Sequence, residues 1–225
     1  MKSLASGTGC VLLTGWKKCL KDCITNRIAT EDKTMIKWNK LRDKAHANAV
    51  RHGFWDNTPS DQHFLCLVIS ELMEAVEADR KSRRADTNAF LGKMEARKTL
   101  EYPADTDIYR SYQPKRIFEV YIKDTVEDEL ADAAIRLLDL AGAHNMNLNG
   151  LCLLNVVTLH KTFTENIFAI VKDLVDYRYS LEEQVNYALS QILALSRIMR
   201  FNLEWHIEQK MLYNESREVK HGKKY

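Results

Sequence analysis

The chain has 225 residues, 28% of them charged, and a formal net charge of +2. That length suits one large domain or two small ones, and the near balance of charge excludes a dedicated nucleic-acid binder with a strong positive field. Eight glycines and three prolines are too few for a turn-rich all-β fold and favour helices.

Residues 1–34 read as an N-terminal extension. The segment GTGCVLLTG invites a phosphate-loop reading, which fails because Trp16, not Lys, follows Gly15. It lacks a signal-peptide cleavage pattern, and no apolar run in the chain approaches the ~18–20 residues of a membrane span. Coherent helical patterning begins at Met35, which marks an alternative start. The five cysteines (Cys10, Cys19, Cys23, Cys66 and Cys152) are odd in number and form no CxxC pair. They point to a reducing, cytoplasmic setting without structural zinc, and Cys66 and Cys152 read as small hydrophobes packed within apolar helical runs.

Helices are expected over 35–52, ended by Gly53, and over 61–81, capped by Ser60 or Asp61. Residues 82–122 break the rhythm with charge, Pro103 and Pro114. They read as an insertion, helical around 86–98 and irregular after that. Further helices are expected over 124–145, 151–177, 181–199 and 203–217. Ser180 and Glu183 form a capping-box pair before the fifth of the six. The tail VKHGKKY is basic and irregular. No alternating strand pattern is present, so the fold is expected to be an all-α packed bundle. Residues 129–148 align with 184–203, and 69–80 with 167–178. In the second copy Glu71 becomes Ala169, Glu129 becomes Gln184 and Asp132 becomes Tyr187. This reads either as a degenerate internal duplication or as the general likeness of amphipathic helices.

Two helices carry acids where apolar residues belong. At 100° per residue, Phe64, Val68, Leu72, Ala75 and Ala78 share a face with Glu71 near its middle and Glu74 beside it. Glu129 borders the apolar face of the 124–145 helix, and Asp132 follows on the same edge. Each pair is spaced i, i+3, with Cβ atoms ~5–6 Å apart. Packing the two faces together places four carboxylates in one volume. Two such charges ~5 Å apart at an effective dielectric of ~20 repel by roughly 3 kcal/mol. A hard cation, Mg²⁺ or Mn²⁺, relieves that repulsion and takes its remaining ligands from substrate phosphates. A ferritin-like di-iron site would need Glu-x-x-His pairs, which these acids lack. The competing reading is solvated surface acids, with His63 and His160 as packing or surface residues.

The basic end complements the acids. Lys210, Asn214 and Arg217 recur at i, i+4, i+7, and Lys220 and Lys224 follow. Arg offers a planar fork for phosphate oxygens and Lys a mobile charge.

ISELMEAVEADR followed by VEDELADAAIRLLDLAG resembles the ExxE…ExxD signature of MazG-type nucleotide pyrophosphohydrolases. These belong to the all-α NTP pyrophosphatase superfamily, to which the dimeric dUTPases are related. KMLYNESREVKHGKKY resembles the basic tail of its house-cleaning members. The resemblance covers about 35–225, departs from the family in the long 82–122 insertion, and implies a helical bundle of that type. It implies Mg²⁺-dependent hydrolysis of nucleoside triphosphates, non-canonical or deoxy, to monophosphate and pyrophosphate. Glu71, Glu74, Glu129 and Asp132 match the metal-binding acids, with Glu71 and Glu74 both candidates for the base. Lys210, Asn214, Arg217, Lys220 and Lys224 match phosphate-contacting positions. Trp38, Phe54 and Trp55 are candidates to stack on the nucleobase or to serve as core. The expected partner is a small nucleotide, with no membrane and no stable nucleic-acid binding, and a homo-oligomer is compatible. The alternatives are a nucleotide-binding or regulatory protein without hydrolysis, and a plain helical interaction module.

Overall fold

The computed structural model describes residues 37–57, 59–99, 106–150 and 162–218. Among the described residues the chain is all-α, with nine helices and no strand. They are α1 (Trp38–Arg51), α2 (Asp61–Arg80), α3 (Thr87–Ala96), α4 (Asp107–Ser111), α5 (Pro114–Tyr121), α6 (Val126–Ala143), α7 (Phe163–Leu174), α8 (Leu181–Ile198) and α9 (Leu203–Glu215). No described helix is long and apolar enough to cross a membrane.

Local chemistry sets the helix starts. The side chains of Ser60, Thr125 and Asn202 accept the backbone N–H groups of His63, Asp128 and Trp205. Capping boxes open α7, from Thr162 and Glu165, and α8, from Ser180 and Glu183. Gly53, at φ 76°, turns the chain between α1 and α2.

α6 is the axis of the bundle and packs against α1, α2, α8 and α9. Its residues Leu130, Ala134, Leu137, Leu138 and Ala141 are fully buried, and one core joins them to Leu72 of α2, Ile170 of α7, Leu189 of α8 and Ile207 of α9. The segments aligned as a degenerate repeat each form a packed helix pair: α2 with α6, and α7 with α8. The expected helix over 151–177 is described only as α7, because residues 151–161 lie outside the described residues, as do Cys152, His160 and the extension 1–34.

Two expectations are corrected. Residues after 98 are not irregular throughout, since α4 and α5 form there. Pro114 starts α5 at its first turn, where a missing N–H costs nothing. Ile117 and Phe118 of α5, then Ile122, join Phe90 of α3 and Tyr213 of α9 in a second small core, so the insertion docks on α9. Cys66 is exposed, not packed. It lies two residues from both Phe64 and Val68, about 200° round the helix, so it faces away from the core they occupy.

α1 and α6 approach closely at Gly142. A Cβ there would lie 2.5 Å from His46 Cβ and 2.9 Å from its Cγ. Gly142→Ala is therefore expected to destabilise the fold by about 1–3 kcal/mol, although alanine is the better helix former. Gly92→Ala on α3, with nothing within 4 Å of the new Cβ, is expected to stabilise by up to about 1 kcal/mol. Chemical denaturation of the two variants beside the wild type checks both signs.

Candidate metal and phosphate site

The site grows from the first two turns of α6. Glu127, Asp128 and Glu129 occupy the first turn, where the helix dipole favours negative charge. All three are buried. Glu127 has a structural task. Its carboxylate accepts Arg84 Nε at 2.7 Å and the Ala85 N–H at 3.0 Å, which ties the link after α2 onto α6.

Asp128 and Asp132 share one cation. Lys210 Nζ, reaching across from α9, lies 2.7 Å from Asp128 Oδ2 and 2.9 Å from Asp132 Oδ2. Asp128 Oδ2 also accepts the N–H of Asp124, which adopts a left-handed φ of 60° at the turn into α6. Asp128 Oδ1 is buried without a hydrogen-bond partner among the described residues. One turn further along, Arg136 Nε donates to Glu71 Oε1 of α2 at 2.5 Å.

Between these ion pairs three carboxylates converge. Glu71, Glu129 and Asp132 each offer an oxygen, and the three oxygens lie within 4.8 Å of one another. Burial, followed by the Asp128 charge, pushes the Glu129 carboxyl up to about 9. Burial, followed by Asp132, also raises Glu71, and Arg136 pulls it partly back. Burial raises Asp128 to about 6, against the pull of Lys210. Burial opposes the Lys210 charge, but Asp132 and Asp128 together outweigh it and raise its pKa. The cation-free cluster is therefore expected to favour a proton on Glu129 at neutral pH. Glu74, expected as a fourth ligand, is exposed on the next turn and stands outside the converging group, though its charge reaches Glu71.

A cleft opens beside the cluster. Asp132 and Arg136 form one side, Asn214 and Arg217 another, and Phe54 and Phe64 an aromatic wall. Asn214 is buried, and its side-chain oxygen has no hydrogen-bond partner among the described residues. Lys210, Asn214 and Arg217 thus do come together, but Lys210 sits among the acids while the other two line the cleft. Lys220 and Lys224 lie outside the described residues. Of the three aromatic candidates only Phe54 lines the cleft. Trp38 is buried in the core. Trp55 stacks on Phe64 at 4.2 Å and donates its indole N–H to Asp139 Oδ1 at 2.9 Å, so it supports the wall from behind. The same Asp139 oxygen meets His46 Nδ1 at 2.8 Å, and this joins α1, the turn after it and α6.

Asp128, Arg136 and Asp139 are the site residues that sequence reading missed. Asp128, Asp132, Arg136 and Asp139 recur at i, i+4, i+8 and i+11, a polar stripe on a helix that is otherwise apolar beyond Glu127 and Glu129. Such a stripe reads as a solvated face until the helix is known to be enclosed on every side. Comparison of the chain with protein-family models, with curated proteins and with solved structures returned no match.

A pH dependence follows from Glu129. Between pH 4.5 and about 9 the folded protein holds a proton there that the unfolded chain has released, so stability falls as pH rises through that window. Glu129→Gln imitates the protonated form. It is expected to stabilise the cation-free protein by on the order of 3 kcal/mol at pH 7, with a larger gain at pH 8 and a gain of only about 1 kcal/mol at pH 5. Paired urea melts at the three pH values check this, and a pH-independent difference would contradict it.

Proposed function

We propose that the chain is a Mg²⁺-dependent nucleoside triphosphate pyrophosphohydrolase. The observation that carries this reading is the convergence of Glu71, Glu129 and Asp132 from two helices, next to a cleft that presents Asn214 and Arg217. The donor set fits the cation. It is all carboxylate oxygen, with no nitrogen or sulfur, as Mg²⁺ and Mn²⁺ prefer. When bound, Mg²⁺ supplies Lewis-acid polarisation of the phosphate oxygens.

The remaining chemistry belongs to the chain. Glu71, Glu129 and Asp132 hold the cation. Arg217 offers its fork, and Asn214 its amide, to phosphate oxygens entering the cleft. Phe54 and Phe64 give an apolar wall for a nucleobase. Glu74 is exposed beside the cluster, with only a 3.5 Å contact from Ser70. It is the carboxylate best placed to take a proton from an attacking water. The water oxygen bonds to the α-phosphorus in line, the bond from that phosphorus to the α,β-bridging oxygen breaks, and pyrophosphate leaves with the electron pair.

One observation favours a different reading. Lys210 and Arg136 already pair with the acids, as in a purely structural ion network. The two cations fall short of the four acids Glu71, Asp128, Glu129 and Asp132, three of them buried, when all four are ionised, and this deficit favours the metal reading.

The test is a panel of canonical, deoxy and modified nucleoside triphosphates incubated with Mg²⁺, with products separated by ion-exchange chromatography. Monophosphate and pyrophosphate are expected from the wild type. Glu129→Gln should lose at least ~100-fold in kcat/KM while melting no earlier than the wild type. Glu74→Gln should lose kcat by ~10²–10⁴ with little change in KM, as expected for removal of a base. Diphosphate and orthophosphate as products would sink attack at the α-phosphorus. A melting temperature indifferent to both Mg²⁺ and nucleotides would leave the ion network as the explanation of the acids.

A further inference from the structure

Resting on that reading, we propose that the protein holds a single divalent cation, with the Lys210 ammonium standing where a second would sit. Sites built from several carboxylates commonly hold two metal ions ~3.5–4 Å apart, bridged by shared oxygens. Here the bridge is already made. Lys210 Nζ spans Asp128 Oδ2 and Asp132 Oδ2 at 2.7 and 2.9 Å, and its side chain is only 5% exposed. It is a fixed cation between two carboxylates, anchored by the packing of α9 against α6.

Charge leads to the same count. Glu71, Asp128, Glu129 and Asp132 carry four negative charges when ionised, and Lys210 and Arg136 return two positive ones. The deficit equals one divalent ion. A second would leave two surplus positive charges in a largely buried volume, where uncompensated charge is costly. Oxygen supply is limited in the same way. Glu71 commits Oε1 to Arg136, and Asp132 commits Oδ2 to Lys210. Neither carboxylate bridges two metals without breaking a buried ion pair. Among the described residues the Glu129 carboxylate takes part in no ion pair, which leaves it to the metal.

Asp128 therefore acts as a positioning residue. It lies outside the converging group, yet its hydrogen bonds to Lys210 and to the Asp124 N–H hold the ammonium in place.

The experiment is a Mn²⁺ titration of the full chain without nucleotide. Bound ion is counted by electron paramagnetic resonance, and Glu129→Gln serves as the baseline for adventitious surface binding. The wild type is expected to take up one Mn²⁺ above that baseline, with the spectrum of an isolated ion. Lys210→Met is expected to take up two, with the broadening of a coupled pair. Lys210→Arg, which keeps the charge, should take up one. Two coupled ions in the wild type would overturn the single-cation inference and leave the metal site itself standing. No Mn²⁺ above the baseline would overturn both. One ion in a folded Lys210→Met would remove the role given to Lys210. Should that variant lose its helical circular dichroism, the wild-type count and Lys210→Arg decide, and two ions in either one overturn the proposal.

Discussion

The interaction on which the rest depends is the pairing of Lys210 with Asp128 and Asp132. It joins the last helix of the chain to the central one through a charge cluster that would otherwise repel itself. The first turn of α6 is acidic, which suits a helix N-terminus, but it is also buried, which does not suit isolated carboxylates. The conflict is relieved by cations brought from elsewhere in the sequence. Lys210 arrives from α9, Arg136 from two turns along α6 itself, and Arg84 from the link after α2. Each of these pairs holds a backbone segment as well as a charge. The bundle around α6 is thus partly organised by its own acids.

The compensation is incomplete, and the incompleteness is what gives the cluster chemical potential. A cluster balanced by its own side chains would be structural. Here burial, then the Asp128 charge, raises the Glu129 carboxyl to about 9, which favours a proton there at neutral pH. A group held protonated by burial and by like charge is poised to exchange that proton for a stronger cation. The cost in folding free energy lies where the function is proposed to lie, as is common in sites that trade stability for activity.

The insertion contributes through α9. Its small core of Phe90, Ile117, Phe118 and Ile122 closes on Tyr213, whose ring stacks on Phe118 at 4.6 Å. Tyr213 sits between Lys210 and Arg217 in sequence, and both cations lie near its ring. The helices described within 82–122 therefore bear on the helix that carries the basic residues.

Much was legible in the sequence because helix periodicity is a local property. The all-α class, the main helices and their caps follow from the spacing of apolar residues and from Ser, Thr and Asn at the starts. Glu71, Glu129 and Asp132 stood out because each breaks an apolar face or borders one, and spacing at i, i+3 is enough to place a side chain on a helix. Periodicity does not say how many sides of a helix are covered. Cys66, read as packed, and Glu74, read as a ligand beside the apolar face, are exposed, whereas Asp128 and Asp139, which the apolar pattern did not single out, are buried. The helices α4 and α5 were hidden because they are short, and their apolar residues face a second core that exists only once α9 is in place. The sequence by itself determined which residues share a helix face and that acids and bases were both available. Only the tertiary structure decided which charge met which, because Lys210 and Asp128 are 82 positions apart and only packing brings them together.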